Sequence, residues 1–212
     1  MIPFGLTRTF PEDWYDDGVD GRYIGGVREP VREQFDSYSA ANNEALRDAL
    51  RWSRYIGDCV MEIGVARDKH SSTETILKYL CDRFYLGVDL RKTDVQETQR
   101  VHTIRCNSWA HDRIELELTD LSGYLPEDLG DPKYRPISLL HIDGCHRTDT
   151  VFGDWHFARY VAIGGFVVLH DTRMFRGPRY LAESIDPKYF EVQMLFNDRE
   201  DDWGLTLARR IK

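Results

Sequence analysis

Leu139-Leu140-His141-Ile142-Asp143-Gly144-Cys145-His146 and Gly164-Gly165-Phe166-Val167-Val168-Leu169-His170-Asp171 are built alike. Each is a short apolar run that stops abruptly on acid and imidazole residues. A run of this length reads as a strand buried on both faces, the kind found in parallel sheets. Between them Val151, Phe152, Trp155, Ala158 and Ala162 recur at helical spacing, which predicts the crossover helix of a βαβ unit. In such units ligands bind at the carboxyl ends of the strands. Asp143, His146, His170 and Asp171 are therefore expected to converge at one rim.

Outward from this unit, strand and helix patterns alternate along the chain. Asn42 to Ile56 reads as a helix, Val60 to Val65 as the first core strand, and Ser71-Ser72-Thr73-Glu74 has capping-box spacing. Phe84 to Leu90 and His102 to Cys106 read as further strands. A short polar helix is expected over Thr93 to Gln99, another over residues 112–130 running into a loop, and another over Tyr180 to Ile185. Phe190 to Phe196 and Leu205 to Arg210 flank a turn, as a closing antiparallel pair would. The expected fold is α/β: a doubly wound, mostly parallel seven-stranded sheet with a C-terminal antiparallel strand. Residues 1–57 are read as a helical and irregular N-terminal extension on a core of residues 58–212. The aromatic-rich start of that extension (Phe4, Phe10, Trp14, Tyr15, Tyr23) suits either a surface-packed arm or a lid over the acceptor.

The 212 residues carry a net charge of −8, which disfavours electrostatic capture of nucleic acid or an anionic membrane. No apolar run approaches the roughly 20 residues that span a bilayer, and the N-terminus lacks the pattern of a signal peptide. The four cysteines lack paired spacing, which suits reduced thiols in a cytoplasmic protein. No Walker loop or nucleophile elbow is present.

The strand-loop-helix from Val60 has Gly64 at its tight turn, and Asp89 closes the next strand, the layout of a nucleotide-binding half with an acid for the ribose hydroxyls. The loop lacks the further glycines a dinucleotide pyrophosphate needs. Glu62 would repel a pyrophosphate but suits the ammonium of an amino-acid moiety. At the other end, Asp143 and Asp171 form a natural half-shell for a divalent cation, Mg²⁺ first, with His170 as a third ligand that brings Mn²⁺, Fe²⁺, Ni²⁺ or Zn²⁺ into competition. His146 is the candidate general base. His141, inside its apolar run, reads as a core histidine, and Asp154, on the polar side of the crossover helix, reads as structural.

Taken together, Val60 to Thr73, Gly87-Val88-Asp89, Ile142 to His146 and Gly164 to Thr172 resemble the class I S-adenosylmethionine-dependent methyltransferases. The narrower resemblance is to the macrocin and mycinamicin type of small-molecule O-methyltransferase. It implies that Glu62 and Gly64 line the methionine moiety, with Ser71 or Ser72 near its carboxylate. It further implies that Asp89 holds the ribose, that Asn107 and Ser108 lie near the adenine, and that a divalent metal assists transfer to a hydroxyl of a sugar or glycosylated natural product. A homo-oligomer is compatible with the same resemblance. Two departures stand out: Asp68-Lys69-His70 occupies the loop where the family has further glycines, and Cys145 lies between Gly144 and His146. A non-catalytic cofactor-binding module and a nicotinamide-dependent oxidoreductase are the alternative readings.

Overall fold

The computed structural model describes residues 2–9, 39–65, 71–120, 135–196, 198–199 and 202–212. Helix α1 (Ala40–Trp52) starts where the Ser39 hydroxyl accepts the Asn42 N–H, and buries Asn42, Leu46, Ala49 and Leu50 along one face. Strand β1 (Cys59–Ile63) is wholly buried. Helix α2 (Ser72–Lys78) is capped by Ser71, which accepts from the Glu74 N–H, as the capping-box spacing predicts. Then follow β2 (Phe84–Asp89), β3 (Val101–Arg105), α3 (His111–Asp120), β4 (Ile137–Ile142), α4 (Thr148–Asp154), a 3₁₀ helix (Trp155–Tyr160), β5 (Val161–His170), α5 (Arg176–Ser184), β6 (Phe190–Leu195) and β7 (Leu205–Arg210).

The seven strands form one sheet in the order β3-β2-β1-β4-β5-β7-β6. Neighbours from β3 to β5 are parallel, and β7 runs antiparallel to both β5 and β6. One face carries a core built around Met61, Leu140, Phe152, Trp155 and Leu181, the other around Leu46, Leu50, Ile76, Leu139 and Phe166. Strand order reverses between β1 and β4, and there the ends of these two strands touch. Gly64 adopts φ +85°, and a Cβ on it would collide with the Asp143 carbonyl. Only glycine meets both demands, while the Asp143 N–H donates to the Ile63 carbonyl at 2.9 Å. The close approach sets the crevice at the carboxyl ends of β1 and β4.

Three local expectations change. Residues 93–99 form no helix; Val95 is the single apolar residue of that segment, too little to hold so short a helix on the core. The crossover helix tightens to 3₁₀ after Asp154, and Ala162 belongs to β5, which begins before Gly164 and reaches its Leu139 pairing through a register shift. Helix α1 ends at Trp52 rather than Ile56. Of the aromatic N-terminal segment, Phe4 and Leu6 pack on the core: Trp155 Nε1 donates to the Phe4 carbonyl at 2.7 Å, and Leu6 bridges Ile185. The remaining arm aromatics, the 66–70 loop and the continuation of the helix past residue 120 lie outside the described residues. No described helix is long and apolar enough to cross a membrane.

Candidate functional site

Asp143 follows β4 directly, His170 is the last residue of β5, and Asp171 comes next in the left-handed region at φ +61°. That conformation lets the Asp171 carbonyl accept the N–H groups of Met174 and Phe175, turning the chain into α5. His146 enters from the loop before α4, its ring stacked on Phe175 with centroids 3.9 Å apart. The rim predicted from the two apolar runs is thus assembled. His146 Nε2 lies 2.6 Å from Asp171 Oδ2 and 4.0 Å from Asp143 Oδ1. His170 Nδ1 lies 2.9 Å from Asp171 Oδ1 and 3.3 Å from Asp143 Oδ1. From the far side, Asn42 of α1 meets His170 Nε2 at 3.2 Å.

Electrostatics follow from this packing. Burial disfavours charge on every member, but the pairing outweighs it. The imidazoles of His170 and His146 hold the Asp143 carboxyl well below the usual range, and likewise that of Asp171. Asp171 and Asp143 in turn push His146 up to about 10 and raise His170 well above its ordinary value.

The contacts are short without being aligned. His146 Nε2 and Asp171 Oδ1 make no properly directed hydrogen bond despite their close neighbours. One donor atom each from Asp143, His146 and Asp171 lies within 4.8 Å of the others. Carboxylate and imidazole groups gathered this closely are of the kinds that suit a divalent cation.

Beside the rim lies a cleft of about 530 Å³. Gly64, Asp89, Asn107, Ser108 and Asp143, all singled out from the sequence, are on its wall, together with Arg147 and Asp154. Asp89 is fixed by backbone, accepting from the Val65 N–H at 3.2 Å and the Arg91 N–H at 2.6 Å. Glu62, Ser71 and Ser72 are not on that wall. Glu62 is fully buried and accepts from Ser72 Oγ at 2.7 Å, Thr73 Oγ1 at 2.9 Å and the Tyr85 hydroxyl at 2.5 Å. His141 Nδ1 stands 3.3 Å from the same carboxylate, which fits its reading as a core histidine.

Sequence reasoning missed Asn42 and Phe175, which position the two imidazoles, and placed Asp154 on a polar face where the structure buries it completely. Asn42 lies 128 residues from His170, so no local spacing signals that pair.

No protein-family model matches the chain, and no curated protein matches it. Among solved structures, the fold superposes on the MycE methyltransferase from the mycinamycin biosynthetic pathway, solved with Mg, SAH and mycinamycin VI. The TM-score is 0.55 at 13% identity, covering 85% of this chain and 52% of that one, so this chain spans about half the length of MycE. A putative caffeoyl-CoA O-methyltransferase from Staphylococcus aureus aligns with TM-score 0.55 at 11% identity, covering 84% of this chain and 87% of that one. A putative O-methyltransferase from Klebsiella pneumoniae aligns with TM-score 0.52 at 16% identity, covering 82% and 81%. At these identities the likeness is one of fold: the chain shares the Rossmann-like architecture of solved O-methyltransferases.

Proposed function

We propose that this chain is an S-adenosylmethionine-dependent O-methyltransferase, assisted by a divalent metal, acting on a hydroxyl of a small polar molecule such as a sugar or glycosylated natural product. The observation that carries it is the meeting of Asp143, His146, His170 and Asp171 beside a cleft whose wall holds Gly64, Asp89, Asn107 and Ser108. The solved neighbour holding Mg and SAH in the same fold supports the choice of cofactors.

When bound, S-adenosylmethionine supplies the methyl group and the cation supplies positive charge beside the acceptor oxygen. Gly64 lets the backbone approach the methionine end, Asp89 accepts from the ribose, and Asn107 and Ser108 meet the adenine. Glu62, tied to Ser72 and Thr73, fixes the start of α2 beside the methionine end rather than contacting it. Asp143 and Asp171 hold the metal, with Mg²⁺ the first candidate and His170 behind them as a further donor anchored by Asn42. His146, the more exposed imidazole, faces the acceptor and takes the hydroxyl proton as the oxygen–methyl bond forms and the sulfur–methyl bond breaks. A cation held by Asp143 and Asp171 would engage the carboxylates that push His146 up, and the imidazole would then be the group to accept the proton. Residues 1–57 serve as the acceptor-side extension of a 58–212 core.

Transfer of labelled methyl from S-adenosylmethionine to a panel of sugars and vicinal diols, with Mg²⁺ and with EDTA, tests the proposal. Label in an acceptor hydroxyl that EDTA removes is expected. Cofactor binding with no transfer to any acceptor would overturn it in favour of a binding module.

A further inference from the structure

We infer that Asp202 is a positioning residue for the metal end of the site: it clamps the start of α1 so that Asn42 stays against His170. The inference rests on the divalent metal proposed above. The segment before β7 is seated on the turn that follows Asp171. There the Arg173 and Met174 N–H groups donate to the Trp203 carbonyl at 2.8 and 3.1 Å, and the Thr172 N–H donates to the Gly204 carbonyl at 3.3 Å. Arg173 Nη1 adds a bond to the Asp202 carbonyl at 3.0 Å. The buried Asp202 carboxylate then faces two ways. One oxygen accepts the Gly204 N–H at 2.8 Å, and the other accepts the Ser39 hydroxyl at 2.8 Å. Ser39 is the residue that caps α1, its oxygen accepting the Asn42 N–H at 3.1 Å.

The first turn of α1 has little else to fix it. The helix packs through Leu46, Ala49 and Leu50, all beyond that turn. Of its first four residues only Asn42 is buried, and Asn42 is polar. A helix end without apolar packing frays. Thr75 Oγ1 donates to Asn43 Oδ1 at 2.5 Å, which holds the turn sideways to α2. The Ser39–Asp202 bond instead holds it to the segment seated on the Asp171 turn. Among the described residues, the Asn42 side chain makes its one hydrogen bond to His170 Nε2, at 3.2 Å. That contact is lost with a small drift of the helix end. Clamp and contact therefore act in series, from Asp202 through Ser39 and Asn42 to His170, whose Nδ1 stands 2.9 Å from Asp171 Oδ1. Groups placed behind a metal site in this way orient its ligands.

The test is Mn²⁺ binding to the full chain, read by electron paramagnetic resonance, with denaturant unfolding measured alongside. The proteins are the parent, Asp202→Asn, Asn42→Ala and the double variant. Asp202→Asn is near-isosteric and keeps the Ser39 cap, but its single oxygen cannot serve both the Ser39 hydroxyl and the Gly204 N–H. It is expected to weaken Mn²⁺ binding about 3- to 10-fold, no more than the loss of the direct partner Asn42. In the Asn42→Ala background it should add less than about twofold, because both changes act through one contact. Ser39→Thr, which keeps the hydroxyl, should bind as the parent does, while Ser39→Gly, a tolerated cap residue, should weaken binding as Asp202→Asn does. Should Asp202→Asn fail to fold, the two Ser39 variants decide. Equal weakening in both backgrounds, or lowered stability with Mn²⁺ binding unchanged, would make Asp202 a structural residue and overturn its role while leaving the metal standing. No Mn²⁺ binding to the parent would overturn the metal reading and this inference with it.

Discussion

Glu62 and the Asp143–Asp171 pair use the same chemical types, carboxylate and imidazole, on neighbouring strands, and come out as opposites. Glu62 lies inside β1, where its oxygens are met by two hydroxyls from the start of α2, a phenol from β2 and an imidazole from β4. Every neighbour is part of the sheet or its helix, and the three hydroxyls satisfy both carboxylate oxygens. Asp143 and Asp171 lie just past the ends of β4 and β5, where the sheet no longer supplies neighbours and the side chains meet one another at short, poorly directed distances. By sheet register Asp143 lies two residues and Asp171 three residues beyond the level of Glu62, and that short displacement separates a stapling acid from one able to take a ligand. Asp154 is the intermediate case: buried as completely as Glu62, but among the residues that line the cleft.

The comparison breaks most severely at the Glu62 network. Glu62→Ala is expected to lose about 3–5 kcal/mol of stability in denaturant unfolding, because it strands a buried tyrosine hydroxyl and imidazole. A loss under about 1 kcal/mol would mean the network is ornamental. Asp154 gives the next effect, through pH. A carboxyl raised from its ordinary 3.8 to about 7 binds more protons folded than unfolded, so its contribution to stability is largest below pH 4 and falls as pH rises towards 7. The fall integrates to about 4 kcal/mol at 1.36 kcal/mol per unit. Asp154→Asn should remove it, so that the variant gains on the parent steadily between pH 4 and pH 7; parallel curves would refute the unpaired carboxyl.

At the open rim the effect should appear in rate and leave the fold in place. His146→Asn is expected to lower kcat about 10²- to 10⁴-fold, the usual contribution of a general base, with S-adenosylhomocysteine affinity unchanged. A rate within threefold of the parent would remove His146 from the chemistry. The smallest effect belongs to Asn42→Ala. Freeing His170 Nε2 should weaken divalent-ion binding about tenfold, one hydrogen bond's worth, with little change in cofactor affinity. Equal weakening of both would make Asn42 a general structural residue.

How much of this was legible in the sequence follows the range of the interactions. The strand ends were, because an apolar run that stops on Asp or His is a local signal; β4, β5 and the rim they form came from two octapeptides. The Ser71 cap and the antiparallel closing pair were local too. Where a side chain's partners come from other elements, the local reading fell short. Glu62 looked like an ammonium ligand because its distance from Gly64 said nothing of Tyr85 or His141. Asn42 and Phe175 gave no signal, being ordinary residues made specific by what the fold puts beside them. The crossover helix was found, but not its tightening to 3₁₀ after Asp154, nor the burial of Asp154 beside the cleft.

The central claim is that the rim and the cleft form one site for an adenosyl cofactor and a metal-held hydroxyl acceptor. Calorimetric titration with S-adenosylhomocysteine, run once with Mg²⁺ and once with EDTA, addresses it most directly. The account predicts micromolar binding in both runs, followed by heat on adding a diol-bearing acceptor in the Mg²⁺ run alone. Absence of binding in both runs would contradict it.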